Sequence, residues 1–197
     1  MGEEFVSFKC HNCNHCCTDV VCLLTPWDVR RITKMTGKNP FEFIEFLTPE
    51  EVKDVDEDDP TWLEVDGERY IMALQRDEQT GCTFLDNKTR FCSIYEARPN
   101  LCRLYPFSVK ESKKGKYEGF TLHDDVGCPK YTDGKVLAKP LYDLYIQDAV
   151  NQEDYGELVE AFNSKQYEGK EVADFLIMLT GGLVHFEENV AAANSGD

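Results

Sequence analysis

Cysteine spacing sets the strongest limit on what this chain can fold into. Cys10, Cys13, Cys16 and Cys17 fall within eight residues, with two residues between each of the first three and none between the last two. Cys82, Cys92 and Cys102 follow at equal spacings of ten, Cys128 stands before Pro129, and Cys22 is the ninth. Disulfides fit this pattern badly, because the count is odd and because adjacent or two-apart cysteines close small, strained rings. A thioredoxin-type dithiol needs a single pair at the start of a helix that follows a strand, whereas here Asn and His are interleaved with four thiols. Thiolates at this spacing can converge from a tight turn onto one soft ion or cluster, so the pattern points to a metal-ligating loop completed by distant ligands.

Charge narrows the partners. Among 197 residues, 37 are acidic and 21 basic, a formal net charge of −16 that disfavours nucleic acid and anionic lipid surfaces. The densest basic stretch, Lys110, Lys113, Lys114 and Lys116 around Ser112 and Gly115, reads as a solvated turn. A hydrophobic content of 42% is enough to bury the core of one domain. Met1-Gly2-Glu3-Glu4 does not read as a leader, Val6 breaks a myristoylation motif, and no apolar window reaches bilayer length. A cytoplasmic protein with no membrane contact is expected.

The chain between the cysteines predicts short elements of both kinds. Residues 20–24 form an apolar run in which Cys22 reads as an ordinary buried cysteine rather than a ligand. Thr25-Pro26 caps a helix over 27–36 that stops at Gly37, and Asn39-Pro40 starts another over 41–47. Residues 54–60 read as an acidic, solvated linker without the glycine and terminal glutamate of a calcium loop. A hairpin is expected over 62–65 and 69–74 about Asp66-Gly67, and a second over 82–85 and 90–92 that sets Cys82 opposite Cys92. Residues 93–97 suggest a short helix broken at Arg98-Pro99, residues 117–122 a strand, and residues 125–131 a loop presenting Cys128. From Pro140 the apolar residues recur at helical spacing, and a last helix over 172–179 ends at Gly181-Gly182, with fraying from Ala191. The fold class is α+β: an irregular cysteine-cluster domain over 1–135 with short hairpins and helices, and a helical extension over 136–197 packed on it as one structural unit.

Several of these segments together resemble the CxxCxxCC (YkgJ-like) cysteine-cluster family, described as a zinc- or iron-chelating domain. The resemblance covers residues 10 to about 131. It rests on Cys10 to Cys17, Thr25-Pro26-Trp27-Asp28-Val29, Gly81-Cys82-x-Phe84-Leu85, Cys92-Ser93-Ile94-Tyr95, Arg98-Pro99-x2-Cys102-Arg103-x-Tyr105-Pro106-Phe107 and Gly127-Cys128-Pro129. It implies metal ligation by Cys10, Cys13, Cys16, Cys17, Cys82, Cys92, Cys102 and Cys128, with Cys22 an extra that the pattern does not require.

Soft thiolates serve zinc and iron–sulfur clusters alike. The opening three cysteines match ferredoxin-type ligation of a [4Fe–4S] cluster, but the run lacks the fourth Cys-Pro. Two four-thiolate sites, or one cluster with the other cysteines on zinc or free, both satisfy the count. Adjacent Cys16 and Cys17 are expected to serve different sites or to bridge two metals. His11 and His15 fit local hydrogen bonding better than ligation, and His123 and His185 are expected to be structural. Arg98 and Arg103 stand where they can offset thiolate charge.

Electron transfer or metal handling follows as the leading function. Similarity to the cysteine-rich region of flagellin lysine methylases leaves a protein-lysine methylation component as an alternative, although no Gly-rich turn after a strand is present to hold a methyl donor. A structural zinc module whose C-terminal helices dock a protein partner is a third reading. Catalytic residues are not identifiable from the sequence.

Overall fold

The computed structural model describes residues 4–52, 55–77, 79–124, 127–165 and 169–180. The expected linker over 54–60 and the loop over 125–131 lie partly outside these residues, and Gly181-Gly182, His185 and the end from Ala191 wholly so. Strands and helices are both present, in several small sheets, which gives the expected α+β class.

β1 (Phe5–Val6) leads through the cysteine-rich loop into the one-turn helix α1 (His15–Thr18). Next comes α2 (Pro26–Thr36), built as the sequence predicts. Thr25 is its N-cap in a capping box with Asp28, Pro26 stands at the first position, and Gly37 closes it in the left-handed conformation with φ 69°.

The helix expected over 41–47 is absent. Asn39 caps a single 3₁₀ turn, Pro40–Glu42, and the chain then extends into β2 (Ile44–Leu47), which pairs antiparallel with β4 (Glu68–Leu74). Ile44, Phe46 and Leu47 suit a half-buried pleated surface, and the neighbouring strand outweighs the local helical start. β3 (Leu63–Val65) pairs with the other edge of β4 through the predicted Asp66-Gly67 turn, whose two residues both have positive φ, 52° and 82°.

The second expected hairpin is cut down to a single bridge, with the Asp86 amide donating to the Phe91 carbonyl and the Ser93 amide to the Phe84 carbonyl. β5 (Arg76–Asp77) pairs with β6 (Gly81–Cys82), so Cys82 faces Arg76, while Leu85 and Cys92 meet only in an isolated bridge. The reason lies between them: Asp86 Oδ1 accepts the Lys88 and Thr89 amides, and Arg90 takes φ 60°, which curls the segment so that pairing does not extend beyond that bridge. A 3₁₀ turn, Tyr95–Ala97, and α3 (Asn100–Leu104) follow on either side of Arg98-Pro99.

β7 (Phe107–Glu111) and β8 (Tyr117–Leu122) form a hairpin around the lysine-rich turn, and β9 (Val136–Leu137) pairs with β1. The long helix α4 (Ala138–Asn163) buries Tyr155, Val159 and Phe162, and a further helix over 173–180, α5, buries Phe175 and Leu176. These side chains share one core with Val29, Ile32, Phe43, Leu63, Met72 and Cys22. Buried Lys170 ties the two helices to the sheet by donating to the carbonyls of Phe162 and Glu64, each at 3.1 Å.

Candidate metal centre

The first four cysteines sit on a loop whose path is made by asparagine. Asn12 and Asn14 adopt φ 54° and 64°, a region that Asn tolerates better than most residues, and Asn14 Nδ2 donates to the Arg90 carbonyl at 2.7 Å. That bond holds the loop against the segment bearing Cys92. Arg76 performs the same service from β5 by donating to the Thr18 carbonyl at the end of α1. Gly81 lets α1 lie directly on β6: a Cβ there would stand 2.5 Å from the Cys17 carbonyl oxygen, and its φ of +84° also favours glycine. The Gly81-Cys82 pair is thus a packing requirement of the site.

Cys102 is placed from the other side. The Asp28 carboxylate, on the buried first turn of α2, accepts from the Thr25 amide and hydroxyl, from the Asn100 amide at 3.0 Å and from Arg31. Arg31 in turn donates to the carbonyls of Arg98 and Ala97 and to Asn100 Oδ1. The helix-opening motif therefore fastens the start of α3, two residues before Cys102. Gly127 brings in the last cysteine. Its amide donates to His15 Nε2 at 3.2 Å and it packs under that ring, where a side chain would collide.

All nine cysteines line one cavity of about 490 Å³, and none forms a disulfide. The eight expected ligands are there, and so is Cys22. Its burial agrees with the reading of a core cysteine, and its Sγ lies 3.3 Å from Cys102 Sγ. Cys16 and Cys17 place their sulfurs 3.9 Å apart. That is close to the edge of a tetrahedral zinc–thiolate site, about 3.8 Å for Zn–S of about 2.3 Å, so geometry alone does not force the two onto different metals. Exposure is graded. Cys10 and Cys13 are exposed, the others are half-buried or buried.

Burial and crowding hold several of these thiols in the neutral form. Cys16 is pushed up by its contact with Cys17 and by burial, Cys22 by its contact with Cys102 and by burial, and Cys82 by burial to about 12. Cys92 and Cys128 are also raised, each mainly by burial. Against this, Arg98 favours the thiolates of Cys16 and Cys92 while stacking on the Tyr95 ring. Lys9, Arg76, Arg90, Arg98 and Arg103 reach the cavity, and no Asp or Glu does among the described residues. In a chain of net charge −16, this is a local reversal of sign.

His11, His15 and His123 do not line the cavity. His15 has both ring nitrogens engaged, Nδ1 with Asp19 and Nε2 with the Gly127 amide, and His11 Nε2 pairs with Asp133 at 3.0 Å. Among the described residues no three Cys, His, Asp or Glu side chains converge closely enough to hold an ion, so the thiols are gathered round the cavity without being closed on a point. The donor set fits a soft metal or cluster in number, type and enclosure, and binding would draw it inward. Asn14 and Arg76 are the positioning residues that sequence reasoning missed, and only the asparagines between the thiols signalled the turn; Cys22, read as a core cysteine, also lines the cavity.

Among the described residues no helix is long and apolar enough to cross a membrane. No solved structure matches the chain. A curated relative, an uncharacterized protein of Methanocaldococcus jannaschii, is 37% identical over 79 residues, which are 40% of this chain and 36% of the relative. The chain thus spans about a third of that relative's length. The family described as "Putative zinc- or iron-chelating domain" matches residues 9–129, the stretch that contains every cysteine and every clamp around the cavity. The chain belongs to this CxxCxxCC family.

Proposed function

We propose that this chain binds zinc or an iron–sulfur cluster in its thiol-lined cavity and works in metal handling or electron transfer. One observation carries the reading: cysteines distant in sequence line a single cavity whose charged lining side chains, among the described residues, are all cations. A metal ligated by four thiolates carries net negative charge, and the cationic lining is suited to neutralise it. Cys10, Cys13, Cys16, Cys17, Cys82, Cys92, Cys102 and Cys128 are the residues that would hold it. A bound cluster supplies one-electron transfer, and bound zinc supplies an exchangeable or stabilising ion.

The exposed end formed by Cys10 and Cys13 supports a centre reached from outside over a sealed structural staple. A protein partner belongs to the same reading, supported by Ile146 and Val150, which stand one turn apart and exposed on α4.

Elemental analysis of anaerobically purified protein, with its visible spectrum, tests this. Brown protein with iron and sulfide in similar amounts assigns a cluster and electron transfer. Colourless protein with stoichiometric zinc assigns metal handling. Protein without stoichiometric metal, folded to the same degree after chelator, refutes the reading.

A further inference from the structure

We propose that the ninth cysteine, Cys22, is a metal ligand, and that the cavity contains two thiolate sets: a deep one of Cys22, Cys82, Cys92 and Cys102, and an outer one around Cys10, Cys13 and Cys128. The inference rests on the metal-binding reading above and goes past it, because the family pattern leaves Cys22 out.

The Cys22–Cys102 contact, the shared cavity wall and the electrostatic neighbours of each thiol divide them in this way. Cys22 touches Cys102 at 3.3 Å and is within electrostatic reach of Cys82. Cys82 feels both Cys102 and Cys92, and Cys92 feels Cys102. Cys82, Cys92 and Cys102 also pack against the same hydrophobic core to which Cys22 belongs. On the outer side, Cys128 lies within hydrogen-bonding reach of Cys13 and within electrostatic reach of Cys10. Cys16 and Cys17, 3.9 Å apart, stand between the sets, and Cys16 feels Cys92 on one side and Tyr105 on the other.

The backbone around Cys22 is held as a ligand-bearing segment would be. Its carbonyl accepts the Leu74 amide at 2.8 Å, the Leu24 amide donates to the Met72 carbonyl, and Leu23 bridges to Ala73. This extended pairing alternates side chains, so Cys22 and Leu24 point to the interior while Val21 and Leu23 pack with a separate apolar group around Trp62. Four separate segments bring these four thiols to the wall of the same cavity, where a metal would have to draw them together: the segment paired to β4 for Cys22, β6 for Cys82, the Leu85 bridge for Cys92 and α3 for Cys102. A core cysteine needed only for packing would be served equally by an apolar side chain and would not have to meet a second thiol. Four thiolates complete a tetrahedral soft-metal site, and without Cys22 the deep set has three.

The test uses the full-length wild-type chain, reduced, stripped of metal and loaded with cadmium-113 alone. Proton–cadmium correlation spectra report which cysteine β protons couple to which cadmium. Coupling of Cys22 to the same cadmium as Cys82, Cys92 and Cys102 is the expected result. Cadmium coupled to other cysteines but not to Cys22 overturns this inference and leaves the metal-binding reading standing. Cadmium coupled to no cysteine overturns both. In parallel, Cys22→Ala, checked by circular dichroism and elution volume, is expected to lower retained zinc from about two ions per chain to about one; retention equal to wild type overturns the inference.

Discussion

Asp28→Asn is the substitution that most directly tests how the site is held. The carboxylate is 1% exposed and receives hydrogen bonds from the Thr25 amide at 3.0 Å, the Thr25 hydroxyl at 2.8 Å, the Asn100 amide at 3.0 Å and Arg31. An amide of the same shape keeps one oxygen for these donors and turns an N–H₂ group toward the rest. Thr25 can rotate its hydroxyl to accept, but a backbone amide or the Arg31 guanidinium is left facing a donor. Breaking one partner of a buried charged pair costs about 3–5 kcal/mol, and Arg31, 29% exposed and still bonded to two carbonyls, moves the cost to the lower end. The expected loss is therefore about 3 kcal/mol, or about 6–12 °C in Tm for a domain of this size. Urea unfolding of the metal-free protein measures it. Because the same carboxylate fastens Asn100, metal affinity should fall as well, read by competition with a chromogenic chelator. A loss below about 1 kcal/mol, or unchanged affinity with the full stability loss, refutes the argument that this network positions Cys102.

Gly81→Ala should cost about 1–3 kcal/mol through positive φ and collision with the Cys17 carbonyl, and should lower retained metal; thermal unfolding and elemental analysis check both. Cys102→Ser should destabilise the metal-free protein by about 1 kcal/mol while Cys10→Ser, at an exposed position, leaves it within about 0.5 kcal/mol. Both should lower metal content. Because burial raises Cys82, Cys92 and Cys128 in the folded state, their contribution to stability is complete below the unfolded thiol pKa and is lost as the unfolded chain ionises first. Metal-free protein should thus weaken from about pH 8.5 toward about pH 12, followed by unfolding at graded pH. Zinc affinity should move the opposite way between about pH 6 and pH 9, since each ligand must give up its proton.

Cysteine spacing, the Thr25-Pro26 cap with Gly37, and the Asp66-Gly67 turn were readable by eye because each depends on residues a few positions apart. Capping, proline placement and positive φ are local physics, so α2 and the β3–β4 hairpin follow from their own sequence. Residues 41–47 were misread because their helical start is local and the strand that captures them, β4, is not. Cys82 and Cys92 were set opposite one another by an apparent hairpin that the Asp86 turn and the Arg76 pairing cut short.

The site divides along the same line. Spacing and soft-donor chemistry pointed to a metal-ligating loop completed by distant ligands, and the family resemblance named the distant cysteines. They read Cys22 as an ordinary core cysteine, because its neighbours in sequence are apolar and the thiol it touches, Cys102, is eighty residues away. Of the cationic lining they placed Arg98 and Arg103 beside the thiolates and missed Lys9, Arg76 and Arg90, which are scattered through an acidic chain. Ligand type is a property of the side chain and survives in the sequence. Which thiols meet, and what charge surrounds them, depends on contacts between segments far apart in the chain, and only folding brings those together.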